Sequence, residues 1–192
     1  MFGWSTLRGW FAPNPDADPD FRGEREWYDA FDPKPIEPWS QFLYEYARRK
    51  YEELEAAHAR LEEKAEANLR TAAVLGGLVI AAVAQWRLTP VWPAVLSVGI
   101  LAVSMVLGLA VRWPMKRAAP ATARHALDGM AKTEAPMEWL AAGLHRTTAE
   151  FKVVYNAKAR LLGGSFLLLA IGVVAAASIL FLAPASGPAA LP

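Results

Sequence analysis

Residues 161–183 read LLGGSFLLLAIGVVAAASILFLA, 23 residues without a charge. About 20 apolar residues in a helix cross a hydrocarbon core of roughly 30 Å, so this stretch is long enough to span a membrane. Working outward, residues 91–111, VWPAVLSVGILAVSMVLGLAV, have the same character, and residues 71–86, TAAVLGGLVIAAVAQW, give a shorter third run. Leu88 extends that run, and Arg70 and Arg87 snorkel outward from its two ends. The reading is an all-α integral membrane protein with three transmembrane helices, at about 71–88, 91–112 and 161–183. Three such helices buried in a water-soluble core would need more polar sequence to wrap them than this chain holds.

The rest of the composition agrees. Of 192 residues, 54% are apolar and 20% charged, with a net charge of +1 and no cysteine. Zero cysteine excludes disulfide scaffolds, thiolate metal sites, iron–sulfur ligation and cysteine nucleophiles. A balanced charge argues against a nucleic-acid partner, which calls for a basic excess.

Orientation follows from the cations. Residues 1–70 hold ten Lys and Arg, residues 112–160 hold nine, the first hairpin loop has only Arg87 and the tail beyond residue 183 has none. The positive-inside rule then predicts a cytoplasmic N-terminus, an extracytoplasmic C-terminus and an inner-membrane, multi-pass location. Trp86 and Trp92 flank the outer loop and Trp113 ends the second span on the inner side, where indoles favour headgroups. Beneath the second span, RWPMKR at 112–117 adds Arg112, Lys116 and Arg117, cations suited to lipid phosphates. Membrane lipids are therefore expected partners, with Trp86, Trp92, Arg112, Trp113, Lys116 and Arg117 at the interface.

The first 37 residues form an arm of different character. MFGWSTLRGWF lacks an uninterrupted apolar run and so is no signal peptide. Trp4, Leu7 and Phe11 share one helical stripe, which suits either a short interfacial helix or a frayed terminus. After it come prolines at 13, 15, 19, 33, 35 and 38, which forbid a continuous helix, and seven acids between Asp16 and Asp32. Trp27, Tyr28, Phe31 and Trp39 lie among them, and aromatics of this kind anchor interfaces. We expect this arm to dock, on a partner or on the chain's own basic connector at 112–132.

Two cytoplasmic helical stalks are expected, one over 38–70 running into the first span and one within 113–160 running into the third. Trp39, Leu43, Tyr46, Leu54, Leu61 and Leu69 recur at helical steps in the first. Met137, Leu140, Leu144, Thr147, Phe151, Val154 and Leu161 recur in the second, with Thr133 placed to cap it and Pro136 in its first turn. Residues 1–70 carry a net −5 and residues 112–160 a net +5, so the stalks are expected to pair, with Leu54, Leu61, Leu144 and Phe151 at the seam. The chain thus divides into an arm (1–37), a stalk (38–70), a transmembrane hairpin (71–112), a connector with a second stalk (113–160), and the third span with a short outer tail (161–192).

Within the spans the polar groups are Thr71, Gln85, Ser97, Ser104, Ser165 and Ser178. Ionisable groups that mark transport pathways are missing there. Small residues suit close helix packing, and the candidates are Ser104 with Gly108, Gly172 with Ala176, and the glycine pairs Gly76–Gly77 and Gly163–Gly164. The pairs close two similar segments, AAVLGG at 72–77 and ARLLGG at 159–164, a faint internal echo. Glu55 and His58 have the Glu-x-x-His spacing of di-iron bundles, but that chemistry needs a second such motif and further carboxylates. His125 and His145 lack an acid three residues earlier, and no nucleophile elbow or phosphate loop is present. No catalytic or metal-binding residue, cofactor or small-molecule substrate is expected.

The expected function is a non-catalytic accessory or assembly subunit of a larger bacterial-type inner-membrane complex. It would bind other membrane subunits, or itself, through helix faces and the arm. The alternative is a self-associating transmembrane effector that forms a pore or disrupts the membrane, gated through the stalks. The order of stalk, hairpin, stalk and span, with Lys64–Ala65 and Lys158–Ala159 ahead of two spans, resembles bacterial transmembrane effectors of nucleotide-signalled antiphage defence. That resemblance covers layout and two dipeptides, and assigns no family.

Overall fold

The computed structural model describes residues 22, 23, 26, 30, 34–86, 92–114 and 123–182. Every regular element among the described residues is a helix. We number them α1 (Ser40–Trp86), α2 (Trp92–Arg112), α3 (Ala123–Met130) and α4 (Pro136–Leu182). Stretches of α1, α2 and α4 are long and apolar enough to cross a membrane.

Local chemistry sets the ends. Between Pro38 and Trp86 no proline interrupts α1, and its first glycines are Gly76 and Gly77. Before it, the Trp39 amide donates to the Ile36 carbonyl at 2.7 Å and the Leu43 amide to that of Trp39 at 2.9 Å. Pro136 opens α4 at a position where a missing N–H is harmless. The Thr133 hydroxyl accepts from the Ala135 amide at 3.2 Å, so it caps the approach to the helix and not its first turn. Trp113 closes α2 with a short bond to Ala110, and Pro114 ends it. α3 is an addition to the sequence reading, which gave this connector no helix. The first apolar run's extension at Leu88 lies outside the described residues.

The chain forms two compact units, one of residues 1–60 and 114–158, the other of 61–113 and 159–192. The second unit thus takes in residues 61–70, ahead of the charge-free run.

In the first unit α1 and α4 run parallel. Glu138 meets the start of α1 at Ser40, and further along Phe151 lies between Tyr51 and His58. The inner stripe of α1 is Ala47, Tyr51, Leu54 and His58; that of α4 is Thr147, Phe151, Val154 and Lys158. Both step by three and four residues, as in coiled coils. Expected seam residues Leu54 and Leu144 are half-buried and Phe151 is fully buried here, while Leu61 is a core residue of the other unit. α3 rests on α4 through Gly129, where a Cβ would come within 2.4 Å of the Trp139 ring.

The second unit is a three-helix arrangement with α2 antiparallel to α4. Its inner stripes keep the same step: Leu61, Ala65, Asn68, Ala72 and Val79 on α1, and Ala94, Ser97, Leu101, Ser104, Gly108 and Val111 on α2. On α4 they are Leu161, Ser165, Gly172 and Ala176. Val79, Ala94 and Ala176 form one apolar layer, with Val83 and Val98 against it. The outer face carries the large side chains, among them Val74, Leu78, Ile80, Val95, Leu96, Val103, Val106, Leu109, Phe166, Leu167 and Val174. The small and polar residues point in, together with Leu61, Val79, Leu101, Val111 and Leu161, and most of the remaining large apolar ones point out.

Candidate functional site

Two places concentrate chemistry. In the second unit, α2 and α4 are joined by serines whose hydroxyls bond across the helices. The Ser104 hydroxyl donates to the Ser165 carbonyl at 2.8 Å, and the Ser165 hydroxyl to the Ser104 carbonyl at 2.7 Å, a reciprocal pair. One heptad away on each antiparallel helix, the Ser97 hydroxyl donates to the Gly172 carbonyl at 3.2 Å. From α1, the Asn68 amide donates to the Ser165 hydroxyl. All four polar side chains are fully or almost fully buried. The Asn68 carbonyl oxygen is a buried acceptor without a hydrogen-bond partner. A buried amide half-satisfied in this way costs stability.

Glycine makes these approaches possible at two points. A Cβ on Gly172 would sit 2.6 Å from Leu101 Cδ2, and one on Gly108 would lie 3.1 Å from Leu69 Cγ. Gly164 would meet only Leu107, at an ordinary 3.5 Å, whereas Gly76, Gly77 and Gly163 have open space where a Cβ would stand. The structure therefore draws Ser104, Gly108, Gly172 and Ala176 into the bundle and leaves the glycine pairs largely outside it. The echo at 72–77 and 159–164 is not reflected in shared packing at those pairs.

At the end of the hydrophobic stretches, Glu66 of α1 accepts from Arg70 and lies 3.7 Å from Arg112 of α2. Trp92 and Trp113, at the two ends of α2, are both largely exposed. Lys116, Arg117 and the Trp86 side chain lie outside the described part of the structure.

The first unit holds the second polar site. Glu138 of α4 is 2% exposed, yet it carries a carboxylate. Its Oε1 accepts from the Ile36 amide at 2.8 Å and from the Ser40 hydroxyl. Burial pushes this carboxyl up, but the hydrogen bonds from Ser40 and Ile36 outweigh burial and hold it below the ordinary carboxylate value. In effect a side chain of α4 ties down the segment that leads into α1 and the helix's first residue. Nothing local in the sequence announces this pairing, since Glu138 is 98 residues from Ser40.

Of the expected partner-binding aromatics, Trp27, Tyr28 and Phe31 lie outside the described residues. Trp39 is 61% exposed and stands edge-on to Phe42, with ring centroids 6.3 Å apart. Glu55 and His58 do not share a face: Glu55 is exposed, and the buried His58 ring lies 5.1 Å from that of Phe151. Among the described residues no group of three or more His, Cys, Asp or Glu is arranged to hold a metal ion.

No family model, curated protein or solved structure matches the chain.

Proposed function

We propose that this chain is a three-span membrane protein that acts as a non-catalytic accessory or assembly subunit of a bacterial-type inner-membrane complex. The single observation that carries the membrane part is the surface of the second unit. It leaves a continuous set of large apolar side chains exposed, among them Val74, Leu78, Leu96, Leu109 and Leu167, while Asn68, Ser97, Ser104 and Ser165 are buried beside Leu101, Val111 and Leu161. That is the economy of helices in lipid, where association rests on close small-residue contact and interhelical hydrogen bonds. The N-terminus and both stalks are cytoplasmic and the C-terminus extracytoplasmic, because nineteen of twenty cations flank one side of the spans. Arg112 and Trp113 lie at the inner headgroups, with Trp92 at the outer ones.

The assembly role is supported by the serine seam, which serves packing and leaves no ionisable group inside the apolar runs, and by the exposed aromatic residues near the N-terminus. Partners bind through outer helix faces and the arm, and no chemistry is performed. Affinity purification from native membranes in mild detergent, followed by native gel and mass spectrometry, tests this. Recovery with stoichiometric unlike chains is the expected result. A particle made only of this chain, toxic when overexpressed, would favour the self-associating effector and overturn the subunit role.

A further inference from the structure

The three charge-free runs of the second unit are not level with one another. Asn68 of α1 reaches Ser165 of α4, and Val79 shares a layer with Ala176, so in both places the α4 partner stands 97 residues beyond the α1 one. Carried along the two parallel helices, this register sets Leu161, where the run of α4 begins, beside Lys64. It sets Thr71, where the run of α1 begins, beside Leu168. At about 1.5 Å per residue, the apolar surface of α1 stops roughly 10 Å short of that of α4. α2 sides with α4: Ser104 meets Ser165 and Ser97 meets Gly172, which puts Gly108 level with Leu161 and leaves Leu109 and Val111 further along still.

One level of the bundle therefore has two kinds of surface. On α1 it carries Lys64, Glu66 and Arg70, and the Arg70 side chain is 78% exposed. On α2 and α4 it carries Val103, Val106, Phe166 and Leu167, all exposed. No flat membrane boundary suits both. One drawn at Thr71 leaves Val106, Leu109, Phe166 and Leu167 in water, and one drawn at Arg112 sinks three charges into hydrocarbon. Immersed charges are costly, whereas a bilayer yields to mismatch at a modest cost per ångström.

We propose that the second unit thins the bilayer on one side: along α1 the leaflet nearest Arg112 dips by about 10 Å, so that phospholipid headgroups and their water reach Arg70. Along α2 and α4 the acyl chains extend to Leu109 and Leu161. The chemistry of the α1 face fits this occupant. Glu66 accepts from Arg70 and lies 3.7 Å from Arg112, so two guanidinium groups share one carboxylate. Each guanidinium has five donors, and most of them are left for lipid phosphate and water.

Thinning of this kind rests on the membrane reading, and reference positions keep the two apart. The chain has no cysteine, so single nitroxide labels can be placed at Ala67→Cys, Val106→Cys, Leu78→Cys and Val95→Cys. All four positions are exposed, and none of the labels displaces the core. The full chain in phospholipid nanodiscs is read by relaxation with oxygen, which concentrates in lipid, and with a nickel chelate, which stays in water. Labels at 78 and 95 are expected to favour oxygen; if they favour nickel, the membrane reading itself fails and the thinning with it. With those two in lipid, label 67 is expected to favour nickel several-fold. Label 106, slightly nearer the Arg112 end, is expected to favour oxygen several-fold. Oxygen at both means a flat boundary beyond Arg112, and nickel at both a flat boundary at Thr71. Shielding of label 67 from both reagents means a protein partner on α1. Each of these three results overturns the thinning. Lys64→Leu, Glu66→Leu and Arg70→Leu together are expected to reverse the preference of label 67 to oxygen. Unchanged nickel access in that variant removes the charges as the cause and overturns the proposal as well.

Discussion

The two units use the same repeat for opposite purposes. On α1 and α4 the inward positions step by three and four residues in both, yet one unit closes over Phe151, Tyr51 and His58 and the other over Ser165, Asn68 and Gly172. Outside, the first unit shows ion pairs such as Arg48–Glu52 and Lys50–Glu53, and the second shows Val74, Leu96, Leu109 and Leu167. Periodicity decides which residues face inward. On the membrane reading proposed above, the medium sets how many of them are small: water rewards burial of area, while lipid is already apolar and rewards only fit and hydrogen bonding.

This contrast is open to attack in order of expected effect. Phe151→Ala removes a fully buried ring from the first unit and is expected to cost about 3–5 kcal/mol, read as a loss of stability in denaturant unfolding. A cost below about 1 kcal/mol would mean that this seam is not held by ordinary burial.

Glu138→Ala is expected to cost about 1.5–3 kcal/mol, because the Ser40 hydroxyl and Ile36 amide lose a charged acceptor. The carboxyl is held below its ordinary value in the folded chain, so its stabilisation is complete above the unfolded value and is lost as pH falls through the folded one. Thermal melting of the wild type should therefore fall on acidification below the ordinary glutamate range, and Glu138→Gln should flatten that part of the profile. An identical acid profile in the variant would remove the charge from the account.

In the second unit Gly172→Val places carbon against Leu101 and is expected to cost about 1–3 kcal/mol, partly recovered by adding Leu101→Ala. Ser165→Ala should cost least, on the order of 0.6 kcal/mol, since hydrogen bonds between helices in membranes contribute modestly. Both are read by unfolding in detergent. If Ser165→Ala proved as damaging as Phe151→Ala, the second unit would rest on polar contacts more heavily than on fit.

Much of this was legible in the residues. Charge-free runs gave the three long apolar helical stretches, and unbroken α1 followed from the lack of proline between 38 and 86. Phase was the overlooked signal at the glycines. Gly108 and Gly172 fall on the stripes that contain Ser104 and Ser165, whereas Gly77 and Gly163 fall off the inward positions. Read by phase and not by pairing, the sequence separates these; Gly76 keeps the inward phase of Ala72 and Val79 but has open space at its Cβ position. Lys158 and Asn68 likewise occupy inward positions, which the sequence reading did not single out. The Glu138 contact with Ser40 and Ile36 was beyond reach, because it depends on how two distant helices align, and a short α3 between prolines had too few turns to show a period.

Between Leu61, Leu101 and Leu161 the seam is largely alanine, glycine and serine, and such stretches have one weakness that a bulky seam lacks: they are smooth. Helices lined with near-identical small side chains can slide by a heptad, about 10.5 Å, and find almost the same contacts. The Asn68–Ser165–Ser104 layer removes that degeneracy. Sliding α1 by one heptad brings Leu61 or Leu75 to Ser165 and carries the asparagine amide into apolar surroundings. Asn68 thus works as an index mark: it gives up one hydrogen bond at its carbonyl oxygen and in return leaves a single notch in which the three helices engage.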